Sequence, residues 1–454
     1  MNFFKAYNNF FKKYFPSPLT IGLLLTIISF ILAWIFTVKN SNTNFYGTEL
    51  MNYWFGGMFK SSLLAFTIHM MLILVLGHII ALSKPAEKII DWVLKFCTDT
   101  ASSVFLVSLL TILVSLFNWG FGLIFGAIFA RKIGDKFKKE HKAINYPLVV
   151  AVAYIGMMVW HGGLSGSAPL TVAGATHTYV NEIGVISLQK TLFSSMNIVA
   201  TLIVVFIIPL VLYFFAKQTK NMVIPNLKKI HEHKILIENE NALADKFELK
   251  PYLSILVGAV MLLYFVYLSY SKVKEGGSVL SILNLETTNL LLLSLAILLH
   301  GNIKNFLFAL EEAIGDVSGI LIQFPLYFGI MGIINGSGLA VLIANAFTEI
   351  SNNFTLPLFT FLSAGLLNIF IPSGGGQWQV QAPIIIASAK NTGVSIEKLI
   401  MAMSYGDQLT NMLQPFWALP LLGITQLKAK DILPYTLLLF VLGLIIFTTI
   451  LIIF

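Results

Sequence analysis

The sequence predicts an all-α polytopic membrane protein with inverted-topology repeats, each holding a re-entrant helical hairpin and a broken transmembrane helix. Three observations predict it: a composition too apolar for a soluble chain, apolar runs long enough to span a bilayer, and polar, glycine-rich breaks at membrane depth. Of 454 residues, 57% are hydrophobic and 11% charged, with mean hydropathy +0.83; soluble domains carry about 25% charge. The lone cysteine, Cys97, excludes a disulfide framework and a multi-cysteine metal site. The net charge of +8 does not imply nucleic acid, because the basic residues cluster in loops as membrane topology requires.

Apolar runs near 17–38, 58–82, 192–216, 251–270, 317–336 and 433–454 are long enough to cross hydrocarbon, and a shorter one lies near 287–300. No small-residue cleavage site follows Ile21 to Phe36, which reads as a retained first span. Segments 102–131 and 354–390 read as helix–break–helix hairpins, and 147–180 and 396–425 as broken helices. Lys5, Lys12 and Lys13, the loop from Arg131 to Lys142, and the stretch Lys217 to Lys250 share one side if 102–131 enters and leaves from the cytoplasm. The N-terminus is then cytoplasmic, and the charge-poor loops 39–57, 181–190 and 271–288 lie opposite. On this reading 1–216 is an N-terminal repeat, 217–250 a cytoplasmic linker, 251–286 a connecting span and 287–454 a C-terminal repeat. The halves echo each other: Asn118-Trp119-Gly120 breaks one hairpin and Asn368 to Gly376 the other. The odd crossing at 251–270 inverts the second half, which is the plan of secondary transporters with facing half-sites.

The polar breaks are the candidate site. Glycine and proline in Pro372-Ser373-Gly374-Gly375-Gly376-Gln377-Trp378 stop a helix, and unpaired backbone in lipid costs several kcal/mol per group. Such a break survives where protein or a water-filled cavity surrounds it. With Asn118-Trp119-Gly120, with His161 to Ser167 and with Asp407-Gln408-Leu409-Thr410-Asn411 it makes four breaks. Helix-end amides there favour an anion, and hydroxyls and carboxamides add donors. Candidate substrate-binding residues are therefore Asn118, Trp119, His161, Ser165, Ser167, Ser373, Gly374, Gly375, Gly376, Gln377, Trp378, Gln408, Thr410 and Asn411. The single arginine, Arg131, falls in the basic loop, so no guanidinium fork is available at mid-membrane. That suits a small monoanion. Asp407 takes up a proton, helps coordinate sodium with Thr410 and Asn411, or is a structural carboxylate satisfied at a helix end. His161 donates to substrate, relays protons, or packs as a bonded interhelical histidine. His69, His78 and His300 read as packing histidines, Trp119 and Trp378 as pocket walls or hairpin-tip packing, and Gly126, Gly156 and Gly365 as close-contact positions.

Pro372 to Trp378 followed by Val380-Gln381-Ala382-Pro383, with Tyr405-Gly-Asp-Gln-Leu-Thr-Asn-Met-Leu-Gln-Pro-Phe-Trp417, closely resembles the short-chain fatty acid transporter family (AtoE type). Asn118-Trp-Gly-Phe-Gly122 and Trp160 to Pro169 are similar to its N-terminal counterparts. The resemblance implies uptake of short-chain monocarboxylates such as acetoacetate or butyrate across a bacterial inner membrane. The wider group of transporters with paired hairpins implies a homodimer embedded in lipid with an elevator-like moving part; the placement of the four breaks and Asp407 gives the expectation of symport with H+ or Na+ and no other cofactor. A sodium site near Asp407 is left open, because Leu-Ser-Gly-Ser167 and Leu-Thr-Asn411 depart from the Ser-Asn-Thr strings of the wider group. The alternatives are a transporter of dicarboxylates, an anion channel, and an intramembrane serine protease built on Gly163-Leu-Ser-Gly166 with His177 or His300 as base.

Overall fold

The computed structural model describes residues 13, 16–37, 45–175, 177–219, 222–227, 247–274 and 285–454. Lys5, Lys12 and most of the linker expected at 217–250 lie outside the described residues.

Helices make up the fold, and the sole pairing of β type among the described residues is an isolated bridge between Ile144 and Val223. The first, α1 (Pro18–Phe36), starts behind Ser17, whose hydroxyl accepts from Thr20 N–H, with proline at the first helical position. Then follow α2 (Tyr46–Met58), α3 (Ser61–Ala81) and α4 (Lys84–Leu94). The pair α5 (Thr100–Phe117) and α6 (Trp119–Lys139) turns at Asn118, and its two arms pack on each other. Next, α7 (Tyr146–Ala153) gives way to two 3-10 turns, Ile155–Met158 and Trp160–Gly162, before the short α8 (Ser167–Val172) and α9 (Val180–Ile183). The long α10 (Ser195–Gln218) closes the first half.

The second half contains α11 (Tyr252–Lys274), α12 (Leu285–His300), α13 (Ile303–Ala313), α14 (Ser318–Gly336) and α15 (Leu339–Glu349). A second helix pair, α16 (Leu356–Phe370) and α17 (Gly374–Thr392), turns at Ile371 to Ser373. Next come α18 (Ile396–Thr410), a 3-10 turn at Asn411–Leu413, α19 (Pro415–Thr425) and α20 (Ala429–Ile453). Among the described residues, α1, the stretch Tyr46–Ala81, α5, α10, α11, α14 and α20 are long and apolar enough to cross a membrane.

Two differences from the sequence reading carry information. Residues 46–57, expected in a loop, are helical because α2 lies against α14: a Cβ on Gly57 would sit 2.3 Å from Phe328 O, and one on Gly332 2.2 Å from Tyr53 O. Arg131 to Lys139, also expected in a loop, form the last turns of α6, where Lys136, Lys138 and Lys139 complement the helix C-terminus. Arg131 is buried there, donating to Asp135 Oδ2 at 2.9 Å and to Ile424 O at 3.3 Å. It thus pins the end of α19, a helix in the other half.

Candidate substrate site

Each hairpin turn exposes a helix N-terminus. Asn118 ends α5 and caps α6, its Oδ1 accepting from Phe121 N–H at 2.9 Å. Ser373 caps α17 in the same way, its hydroxyl accepting from Gly376 N–H at 3.3 Å. First-turn amides have no intrahelical acceptor; Trp119 N–H finds Ser165 Oγ at 3.1 Å. That bond ties the first hairpin to the break in the following helix.

A cavity of about 270 Å³ opens between these ends. Its polar wall is Asn118, Ser165, Ser167, Ser373 and the backbone of Gly374 and Gly375; its apolar wall is Phe66, Trp119, Met157, Trp160, Leu170 and Trp417. Both hairpin turns, the first helix break and the helix after the second break therefore meet there. Two helix N-termini face one space that contains no arginine or lysine among its lining residues, which is an electrostatic setting for one small anion. Trp119 lies edge-on to Trp417, with ring centroids 5.0 Å apart, so the aromatic wall spans both halves of the chain.

The other expected residues lie behind this wall. His161 stacks under Trp160 with ring centroids 4.5 Å apart, and its Nδ1 is 2.5 Å from Asp407 Oδ2. Gln408 is committed elsewhere: its Oε1 accepts from the backbone N–H of His161 and of Gly162. Thr410 Oγ1 and Asn411 Oδ1 accept from Asn368 Nδ2, both at 2.9 Å. Gln377 Nε2 donates to Ala364 O and Gln381 Oε1. Trp378 is buried in an apolar cluster with Ala168, Val172 and Ile385, and meets Tyr179 edge-on. Gly376 packs against the Ser373 side chain. These residues shape the site from outside the cavity.

Sequence reasoning missed Phe66, Met157, Trp160, Leu170 and Trp417 as cavity walls, and Asn368 as a hub. Asn368 had a readable signal, a carboxamide in the apolar run of α16. Trp160 and Trp417 stood inside the quoted motifs, but nothing in the spacing said which ring faces the cavity.

Long apolar helices around a walled polar cavity define the class, a multi-pass membrane transporter. The chain belongs to the short-chain fatty acid transporter family, whose pattern it matches over residues 3–454. A relative from Haemophilus influenzae, provisionally named a short-chain fatty acid transporter, is 35% identical over 436 residues, covering 94% of this chain and 93% of the relative. Another from Escherichia coli, with the same provisional name, is 33% identical over 430 residues, covering 94% and 93%. Among solved structures, MtrF of Neisseria gonorrhoeae, from a class of antimetabolite efflux pumps, gives TM-score 0.42 at 16% identity over 100% of this chain and 97% of that one. The YdaH transporter of Alcanivorax borkumensis gives 0.43 at 18% identity over 95% and 98%. Family membership sets the protease reading aside.

Proposed function

We propose that the protein takes up short-chain monocarboxylates, acetoacetate or butyrate among them, by symport with a cation. The observation that carries this reading is the composition of the cavity. Two helix N-termini, three serines and Asn118 line a small space together with three tryptophans. The carboxylate lies against the amides of Gly374 and Gly375 and the hydroxyls of Ser165, Ser167 and Ser373, and the acyl tail against Trp119, Trp160 and Trp417. A dicarboxylate fits less well, because no fixed cation lines the cavity to hold a second charge.

The two halves repeat one order of elements: helix pair α5–α6, broken helix α7–α8 and long α10, then α16–α17, α18–α19 and α20. This order supports two inverted repeats whose hairpins re-enter the membrane from opposite faces. The close α2–α14 and α3–α12 packing supports a scaffold of α1 to α3 and α12 to α14 that carries a dimer interface, with the hairpins and broken helices moving against it. The chain would reside in a bacterial inner membrane with its N-terminus in the cytoplasm.

The test is uptake of labelled butyrate and acetoacetate by liposomes holding the purified protein, with protein-free vesicles as baseline. Uptake above that baseline, competed by other short monocarboxylates, is expected. Transport of dicarboxylates alone would sink the substrate assignment.

A further inference from the structure

The cavity has a polar end, and its rings can be ordered outward from there. Trp119 follows Asn118 in the chain, and its backbone N–H donates to Ser165 Oγ at 3.1 Å. A Cβ on Gly374 would lie 2.7 Å from the Trp160 ring. Leu170 and Ser167 are neighbours on one turn of α8. Trp119, Trp160 and Leu170 therefore flank the hydroxyls and amides proposed to hold the carboxylate. Leu170 is also the exposed residue of the lining set, which puts the mouth of the cavity on that side. From Trp119 the rings lead away from the polar end. Trp417 meets Trp119 edge-on with centroids 5.0 Å apart, and Phe66 meets Trp417 edge-on at 6.2 Å. Phe66 is the last ring of that series to line the cavity.

Phe66 also differs from the other walls in origin. It belongs to α3, whereas the others come from the two hairpins, from the break after α7, from α8 and from α19. Two buried rings of α14 back it: Phe324 stacks on it at 6.3 Å, and Phe328 meets it edge-on at 6.4 Å. Phe324 is stacked in turn on Phe416 at 4.1 Å, and Phe416 meets Trp417 edge-on at 4.8 Å. Close-packed interiors leave no free space for such a ring to swing into. Phe66 is therefore a fixed wall.

The remaining apolar walls do not limit length in this way. Trp119 and Trp160 flank the polar end, and Leu170 stands at the mouth. Met157 is an unbranched thioether that repacks around what it touches. The cavity, at about 270 Å³, is smaller than the roughly 300–1,000 Å³ typical of drug-sized ligands. A tail lengthened carbon by carbon from a carboxylate at the polar end therefore reaches Phe66 with little slack. There it either forces the ring into Phe324 and Phe328 or draws the carboxylate off its donors.

We infer that Phe66 sets the upper limit of chain length, as a stop for the end of the acyl tail. The inference rests on the monocarboxylate reading of the cavity and adds to it which lengths are carried. Butyrate fits between the polar end and the ring; hexanoate and longer straight-chain acids meet the ring. One methylene accepted or refused by an apolar pocket is worth about 10–200-fold in selectivity. A single ring at this position is thus enough to separate butyrate from hexanoate.

The experiment measures initial-rate uptake of labelled acetate, butyrate and hexanoate by liposomes holding the purified full-length protein. Wild type is compared with Phe66→Ala, Phe66→Leu, Phe66→Trp and Leu170→Ala. The readout is the ratio of kcat/KM for two acids in one preparation, which does not depend on how much of the protein is folded. The hexanoate-to-butyrate ratio should rise at least about ten-fold in Phe66→Ala and by less in Phe66→Leu; the milder variant decides if Phe66→Ala does not fold. In Phe66→Trp the butyrate-to-acetate ratio should fall. Leu170→Ala, at the mouth, should change the uptake of all three acids alike. A ratio unmoved by truncating Phe66, or moved as far by Leu170→Ala, overturns the stop while butyrate uptake still upholds the function reading. So does a wild type that carries hexanoate as fast as butyrate. A wild type that carries none of the three acids overturns the function reading, and the stop falls with it.

Discussion

Gly374 shows how little room the site leaves. A Cβ there would lie 2.6 Å from His161 Cε1 and 2.7 Å from the Trp160 ring, whereas one on Gly375 would meet only Ser167, at 3.9 Å. Gly374→Ala is therefore expected to abolish butyrate uptake in liposomes while the protein still purifies as a folded species, and Gly375→Ala to keep measurable uptake. Equal uptake by both variants would remove Gly374 from the site. Asn368 is the other sensitive residue, its one NH2 group serving Asp407 O, Thr410 Oγ1 and Asn411 Oδ1 at 2.7 to 2.9 Å. Asn368→Ala removes the donor to Thr410 Oγ1 and Asn411 Oδ1 and leaves the Asp407 carbonyl with the Thr410 hydroxyl alone, a loss on the order of 3 kcal/mol, to be read as a lowered thermal midpoint in detergent. The sequence announced the chemistry of these residues but not their direction. Ser165, Ser167 and Ser373 line the cavity, whereas Gln377, Gln408, Thr410 and Asn411, equally polar and in the same breaks, bond Ala364 and Gln381, the His161 and Gly162 backbone, and Asn368. Helix phase decides which atoms remain for a ligand, and phase is lost wherever glycine and 3-10 turns interrupt the period.

Helix contacts explain why some elements were readable and others were not. The hairpin turns at Asn118 and at Ile371 to Ser373 fall where the sequence breaks, because proline, glycine and capping side chains act locally. By contrast α2 was read as a loop: its residues Asn52, Gly56 and Gly57 look like punctuation until α14 is brought against them. Here the tertiary contact overrides local propensity. The contact supplies its own internal control. Gly57→Leu drives a side chain into Phe328 O and Gly332, an overpacking that typically costs about 1–3 kcal/mol. Gly56→Ala meets nothing within 4 Å. Thermal unfolding should separate them, with Gly57→Leu clearly lower and Gly56→Ala at or above wild type. Matching midpoints would mean that α2 and α14 do not hold each other as described.

For the whole molecule, the single thiol is a convenience for measurement. Cys97, between α4 and α5, is fully buried, and burial pushes its pKa up to about 11. The reactive thiolate is disfavoured, so labelling by maleimide at neutral pH should be negligible in the native protein and should rise only as the pH approaches that value. Rapid neutral labelling without unfolding would contradict this packing. A cysteine introduced at Ser167 or Ser373 would then report its own accessibility against a silent background. The bonds between the halves have a further consequence. Arg131 holds Ile424 O, Tyr146 holds Thr425 O, Asn145 meets Tyr435, Tyr154 reaches Asn411 O, and Tyr405 reaches back to Asn197. Each joins a residue before position 228 to one after position 247, more than 200 positions apart, so the two parts of the chain hold each other through side chains. Separately encoded fragments 1–227 and 247–454, produced together, should find each other in the membrane and co-purify.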